Sequence, residues 1–120
     1  MDSMKVEWSS RYACDAAAVK QHVEAKGGVY RLQHMDSDGK YRTFYVGIAE
    51  DLSDRIPDHF TDSEPNPCVK GIINQGNNGF RFIYIGNDAT RQGIERYLYD
   101  KIPNLCNDQR PEADPIEVNY

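Results

Sequence analysis

Gly28-Val29-Tyr30-Arg31-Leu32-Gln33 and Tyr41-Arg42-Thr43-Phe44-Tyr45-Val46-Gly47 decide the fold of this chain. Both runs are rich in β-branched and aromatic residues, and Asp36-Ser37-Asp38-Gly39 lies between them. Short polar side chains bond back to their own backbone and glycine admits a positive φ, so this is turn chemistry. An antiparallel hairpin is predicted. Strand alternation puts Tyr41, Thr43 and Tyr45 on one face and Phe44 and Val46 on the other. Tyr30 belongs to the partner strand, and Gly47 leaves room for another backbone or a phosphate to come close.

Outward from the hairpin, Asp15 to Lys26 is alanine-rich, with Val19, His22 and Val23 at helical spacing before the Gly27-Gly28 stop, and reads as a helix. After Gly47, the acidic residues Glu50, Asp51 and Asp54 stand where a helix N-terminus favours them, and Pro57 must end or kink that helix. Thr61 to Cys68 reads as loop and Val69 to Asn74 as a short helix closed by Gly76-Asn77-Asn78-Gly79. Phe80 to Ile85 is the clearest strand. Asn87 and Asp88 can cap a helix from Ala89 to Lys101 whose Ile94, Tyr97, Leu98 and Ile102 share one face, and Pro103 stops it. Gln109 to Tyr120 reads as a loosely packed tail with Ile116 and Val118 added to the sheet edge.

That order predicts an α/β (α+β) fold, a three-stranded antiparallel sheet flanked by helices in one compact domain. Residues 1–26 form an N-terminal helical extension, 27–108 the core and 109–120 an acidic tail. The 120 residues suffice for a modest core without staples. Cys14, Cys68 and Cys106 are widely spaced and odd in number, which suggests reduced thiols. No basic segment followed by an apolar run opens the chain, so an intracellular protein is expected, cytoplasmic or nucleoid- or nucleus-associated, without a membrane partner. The net charge of −5 argues against broad phosphate binding, yet the acidic residues concentrate between Glu50 and Glu64 and after residue 107. Two mildly basic blocks, 26–49 and 67–107, remain to line a groove.

Gly28-Val29-Tyr30 followed by Tyr45-Val46-Gly47 resembles the two halves of the GIY-YIG nuclease signature. Ile48 to Arg55 is similar to the segment leading to that family's helix-borne arginine, and Arg55 with His59 resembles its Arg-x-x-x-His pattern. Glu95 in the last long helix and Asn107 beyond Pro103 resemble the family's glutamate and following asparagine. Tyr84-Ile85-Gly86 reads more literally as the second half, but it lies too far from Tyr30 and is taken as the third strand. Singly, Tyr30 and Tyr45 are ordinary strand residues and Arg55 and Glu95 ordinary surface charges. The resemblance spans Gly28 to Asn107 and rests on their order.

The resemblance implies a metal-dependent endonuclease with Tyr30, Tyr45, Arg55, His59, Glu95 and Asn107 as catalytic residues. Arg55 and Gly47 would receive the phosphate, and Glu95 would hold Mg²⁺ or Mn²⁺. Tyr30 would position or deprotonate the attacking water, with His59 as an alternative proton acceptor. The implied partner is nucleic acid, most simply DNA, with a homodimer or a protein partner supplying further contacts. The other reading open at this point is a GIY-YIG-fold module without cleavage, acting as a binding or inhibitory protein.

Overall fold

The computed structural model describes residues 2–120. It is a mixed α/β structure built on a four-stranded antiparallel sheet with four α-helices around it. The predicted hairpin is its centre: β3 (Gly28–Met35) and β4 (Tyr41–Ala49) pair antiparallel across the Asp36–Gly39 turn. The Gly39 N–H donates to the Asp36 carbonyl at 2.9 Å, and Gly39 has a φ of +82° that a side chain would disfavour. The clearest strand of the sequence, β5 (Asn78–Tyr84), pairs with the other edge of β3.

The sheet has one strand more than the three expected. β2 (Tyr12–Ala13) adds to the free edge of β5, giving the order β2-β5-β3-β4. Two residues carry no periodicity, so only pairing reveals such a strand. The tail is a second correction. β6 (Ile116–Glu117) does not extend the main sheet; it pairs in parallel with β1 (Asp2–Ser3) as a separate two-stranded ribbon. Nor is the tail loosely packed: Val118 is buried, and Ile116 lies against Gly93, where a Cβ would collide with it.

The helices end where their capping chemistry dictates. Asp15 caps α1 (Ala16–His22), shorter than the sequence suggested. Asp51 caps α2 (Leu52–Arg55) by accepting from Ser53 N–H at 3.0 Å. Pro57 has no N–H to continue an α-helix, and the chain tightens into a 3₁₀ helix over Ile56–Phe60. Asn66 caps α3 (Pro67–Gln75), with Pro67 in the first turn, where its missing donor costs nothing. Asn87 caps α4 (Asp88–Lys101).

Two cores flank the sheet. On one face Tyr30, Leu32, Phe44, Phe80 and Phe82 pack beneath α1, α2 and α3; on the other Val29, Val46 and Ile83 pack against Ile94 and Leu98 of α4. Strict alternation fails at one point. The register shifts between Leu32 and Gln33, so Leu32 faces Tyr45 while Gln33 faces Thr43, and Phe44 sits in the bulge. Phe44 and Tyr45 therefore both join the first core, contrary to the alternation read from sequence, while the Gln33 side-chain amide donates to the Thr43 hydroxyl at 3.1 Å. No helix among the described residues is long and apolar enough to cross a membrane.

The cysteine expectation is overturned for two of the three. Cys68 at the start of α3 and Cys106 form a disulfide, their Cα atoms 5.5 Å apart, and Cys14 alone is a free thiol. Spacing along the chain hid this, because β5 and α4 intervene and only their packing returns residue 106 to α3. The bridge spans a sequence separation of 38 residues. Cys68→Ser is expected to lower unfolding free energy by about 4 kcal/mol through the loop entropy returned to the unfolded chain. Urea melts with and without reductant would measure it, and a midpoint indifferent to both reductant and substitution would mean that the thiols are free in solution.

Candidate active site

Tyr30 stands opposite Gly47 in the β3–β4 register, and the space a Gly47 side chain would fill is taken by the Tyr30 ring, whose Cζ and hydroxyl lie there. The glycine thus seats a tyrosine. Gly28 is equally confined, between the Ile83 carbonyl and Leu52. Both glycines of the hairpin permit close packing of β3 and β4 with their neighbours.

Tyr45 stands opposite Leu32 in the regular part of the register and so shares the face of Tyr30, diagonal to it, with ring centroids 6.2 Å apart. His59 completes an aromatic cluster, 5.5 Å from Tyr30 and 4.9 Å from Tyr45. The 3₁₀ winding after Pro57 turns His59 inward until it is 1% exposed. Its Nε2 lies 2.6 Å from the Tyr30 hydroxyl and its Nδ1 2.7 Å from Glu64 Oε2.

Those two distances assign the proton positions. A carboxylate oxygen only accepts, so Nδ1 carries the hydrogen and donates to Glu64; Nε2 is left with its lone pair and accepts from the Tyr30 O–H. Glu64 is itself held, since its Oε1 accepts from the Asn66 N–H at 3.1 Å. Burial lowers the His59 pKa, and the Glu64 carboxylate pulls it back up. Burial also pushes the Tyr30 hydroxyl well above the usual phenol range, aided by Tyr45 and opposed by Arg55. Tyr45 is raised by burial as well, against the pull of Arg55.

Arg55 ends α2 with its side chain 42% exposed, paired at 3.7 Å to Asp58 and within hydrogen-bonding influence of Tyr45. Glu95 projects from α4, and its charge is felt at both tyrosines. Burial alone raises the Glu95 carboxyl to about 7, with no protein cation set against it. Arg55 pairs with Asp58, and at both tyrosines the charges of Arg55 and Glu95 act in opposite directions.

Asn107 does not project into this cluster. Its amide clasps the β4 edge, donating to the Val46 carbonyl at 2.7 Å and accepting from the Val46 N–H at 3.1 Å. With Cys106 N–H donating to the Phe44 carbonyl at 2.7 Å, it continues the pairing of β4 and fixes the strand on which Tyr45 and Gly47 sit. Asn66 reaches the same segment through the Cys106 carbonyl at 2.9 Å.

Glu64 was missed by sequence reasoning, since one acidic residue in a proline-containing acidic loop reads as solvated. Its only local signal is Asn66-Pro67, a helix start that orients the preceding loop. Sequence comparison adds no family: no protein-family model matches the chain, and no curated protein matches it either.

No three His, Cys, Asp or Glu side chains cluster as a cage among the described residues. Glu95 offers one desolvated carboxylate lacking a protein counter-ion, and Mg²⁺ is ordinarily held by one or two carboxylates with water and substrate oxygens.

The raised Glu95 pKa has a definite sign. A carboxyl whose folded pKa exceeds its unfolded value disfavours the fold as it ionises, so stability falls as pH rises from the ordinary 4.5 through about 7. Glu95→Gln is therefore expected to melt above the parent beyond pH 7 without divalent cation, with the gain shrinking to nothing toward pH 4.5. Thermal melts across that range test it; a gain independent of pH would show that Glu95 is not the titrating group.

Proposed function

We propose that the chain is a metal-dependent endonuclease that hydrolyses phosphodiester bonds of DNA through a GIY-YIG-type site. The observation that supports this best is the buried line of Tyr30, His59 and Glu64, with Arg55 and Glu95 both acting on the tyrosine pair. A hydrogen-bonded Tyr–His–Glu line is a proton relay. A core that needed only packing would be more stable with apolar groups in these places.

Burial makes a free Tyr30 phenolate costly. The relay removes the need for one. As the attacking water gives its proton to the Tyr30 oxygen, Tyr30 passes its own to His59 Nε2, and the imidazolium is balanced by Glu64. The water oxygen bonds to phosphorus while the bond to the leaving oxygen breaks. Arg55 offers a planar fork to the non-bridging oxygens, and Tyr45 hydrogen-bonds the same phosphate. A cation held by Glu95 supplies Lewis-acid stabilisation of the leaving oxygen when bound. Asn107 serves by holding β4, and Gly47 by seating Tyr30.

The acidic stretch from Glu50 to Asp58 beside Arg55 disfavours a second strand of DNA, so a homodimer or a protein partner is proposed to supply the remaining backbone contacts. One observation favours the other reading, a binding or inhibitory module without cleavage: Tyr30 is 1% exposed.

Incubation of plasmid, single-stranded and branched DNA, and RNA, with Mg²⁺ or Mn²⁺ separates the two. Cleavage is expected, and Arg55→Ala and Glu95→Ala are each expected to slow it by about 10²–10³-fold. No cleavage of any substrate, or equal cleavage by both variants, sinks the enzyme reading. The relay has its own test in the pH profile. Glu64→Gln keeps the hydrogen-bonding shape without the charge, and should slow turnover by about 10²-fold or more. It should also move the acidic limb to lower pH, because the Glu64 charge is what raises the His59 pKa. An unshifted limb would leave Glu64 a merely structural residue.

A further inference from the structure

The sheet face opposite Tyr30 changes character away from Val29, Val46 and Ile83. There it carries cations. Arg31 on β3 stands directly across from Arg81 on β5. Arg11, from the segment beside β5, crosses the sheet over Gly79, where any Cβ would strike its stem, and its Nε donates to Gln33 at 2.8 Å. The Arg11 guanidinium lies 3.8 Å over the Tyr41 ring and that of Arg31 4.3 Å over Trp8.

The arrangement lacks an ion-pair partner among the described residues, with only Tyr120 set against the repulsion at Arg31 and Tyr41 against that at Arg11. Arg31 is 4% exposed, and among the described residues its Nε has no hydrogen-bond partner, nor has the buried Arg81 Nε. None of the ion pairs among the described residues reaches Arg11, Arg31 or Arg81. The three repel one another: burial, then Arg81 and Arg11, bring the Arg31 pKa down to about 10, and Arg11 is lowered by burial and then by Arg81. A chain with 19 acidic residues has placed none in ion-pair contact here. Converging cations with unspent donors are costly in a fold unless an anion completes them.

We propose that Arg11, Arg31 and Arg81 form a binding site for a phosphate group on the sheet face opposite Tyr30. Guanidinium forks present paired N–H donors to tetrahedral oxyanions, and three of them suit a doubly charged phosphate better than a single carboxylate. Trp8 and Tyr41 hold two of the forks in place by stacking beneath them. The phosphate is either free or part of a nucleic-acid backbone, and the chemistry of the site is common to both. The site does not depend on the nuclease reading.

Trp8 is the chain's only tryptophan and stacks on Arg31, so its fluorescence reports on this face and not on the tyrosine pair. The Glu95→Ala chain, in which cleavage of a bound strand is slowed, is titrated with inorganic phosphate or with a single-stranded oligodeoxynucleotide lacking terminal phosphates. Chloride at matched ionic strength is the control. A saturable Trp8 change is expected, weakened about tenfold or more by Arg81→Gln and by Arg31→Lys, which keeps the charge but not the fork. Arg11→Gln replaces Arg31→Lys if the latter melts early. Saturation by inorganic phosphate identifies a free ligand; saturation by the oligonucleotide alone identifies the backbone. No saturable change with either probe, or binding that the substitutions leave unaltered, overturns the site. A chain that cleaves nothing yet saturates keeps it, and one that cleaves without saturating loses it.

Discussion

The hydrogen bond from the Tyr30 hydroxyl to His59 Nε2, made beneath the surface with the ring lying across Gly47, is the constraint from which the site follows. A buried hydroxyl without a partner is expensive, and so is a buried imidazole with one nitrogen unpaired. Tyr30 therefore needs His59, and His59 needs Glu64. Glu64 in turn is steadied by the Asn66 backbone, whose side chain caps α3 and bonds to Cys106. One polar commitment inside the first core thus binds β3, the 3₁₀ helix, the α3 cap and the segment along β4 into a continuous set of obligations. Pro57 is part of it, because α-helical winding through residue 59 would give the histidine a different direction.

The β4 strand is where these obligations meet the chemistry. It is the last strand of the sheet, and an exposed strand edge leaves backbone groups unpaired. Cys106 and Asn107 answer them at Phe44 and Val46, on either side of Tyr45. The Cys68–Cys106 bridge ties that same segment to α3. The backbone on both sides of half-buried Tyr45 is therefore hydrogen-bonded, while Arg55 remains partly in solvent. Glu95 comes from the opposite side of the sheet, on a helix whose Ile94 and Leu98 are fully buried, so its position is set by packing rather than by any polar partner.

The two sheet faces solve opposite electrostatic problems. On the first, a carboxylate, an imidazole and a phenol are satisfied among themselves in low dielectric, where paired groups gain and unpaired ones lose. On the second, the apolar core gives way to three guanidiniums whose nearest companions are aromatic rings and each other. A net charge of −5 conceals both, because it sums over the whole chain, including the acidic residues between Glu50 and Glu64 and after residue 107.

The sequence by itself determined the elements whose causes are local. The β3–β4 hairpin, β5, α4 and the break at Pro57 were legible because turn residues, alternation, caps and prolines act within a few positions. The order of Tyr30, Tyr45, Arg55 and Glu95 was legible too, as a pattern. Only the tertiary structure decided what those residues do to one another. The bulge at Phe44 overrode alternation to put Phe44 with Tyr45 in the first core and Thr43 opposite Gln33. β2 and the β1–β6 ribbon depend on pairing partners too distant in sequence to leave a period. Cys68 met Cys106, Asn107 turned to the β4 backbone, and Glu64 became the buried partner of His59 for the same reason. Burial and hydrogen bonding are satisfied between whichever groups the fold makes neighbours, and a neighbour across the sheet leaves no trace in the spacing of the chain.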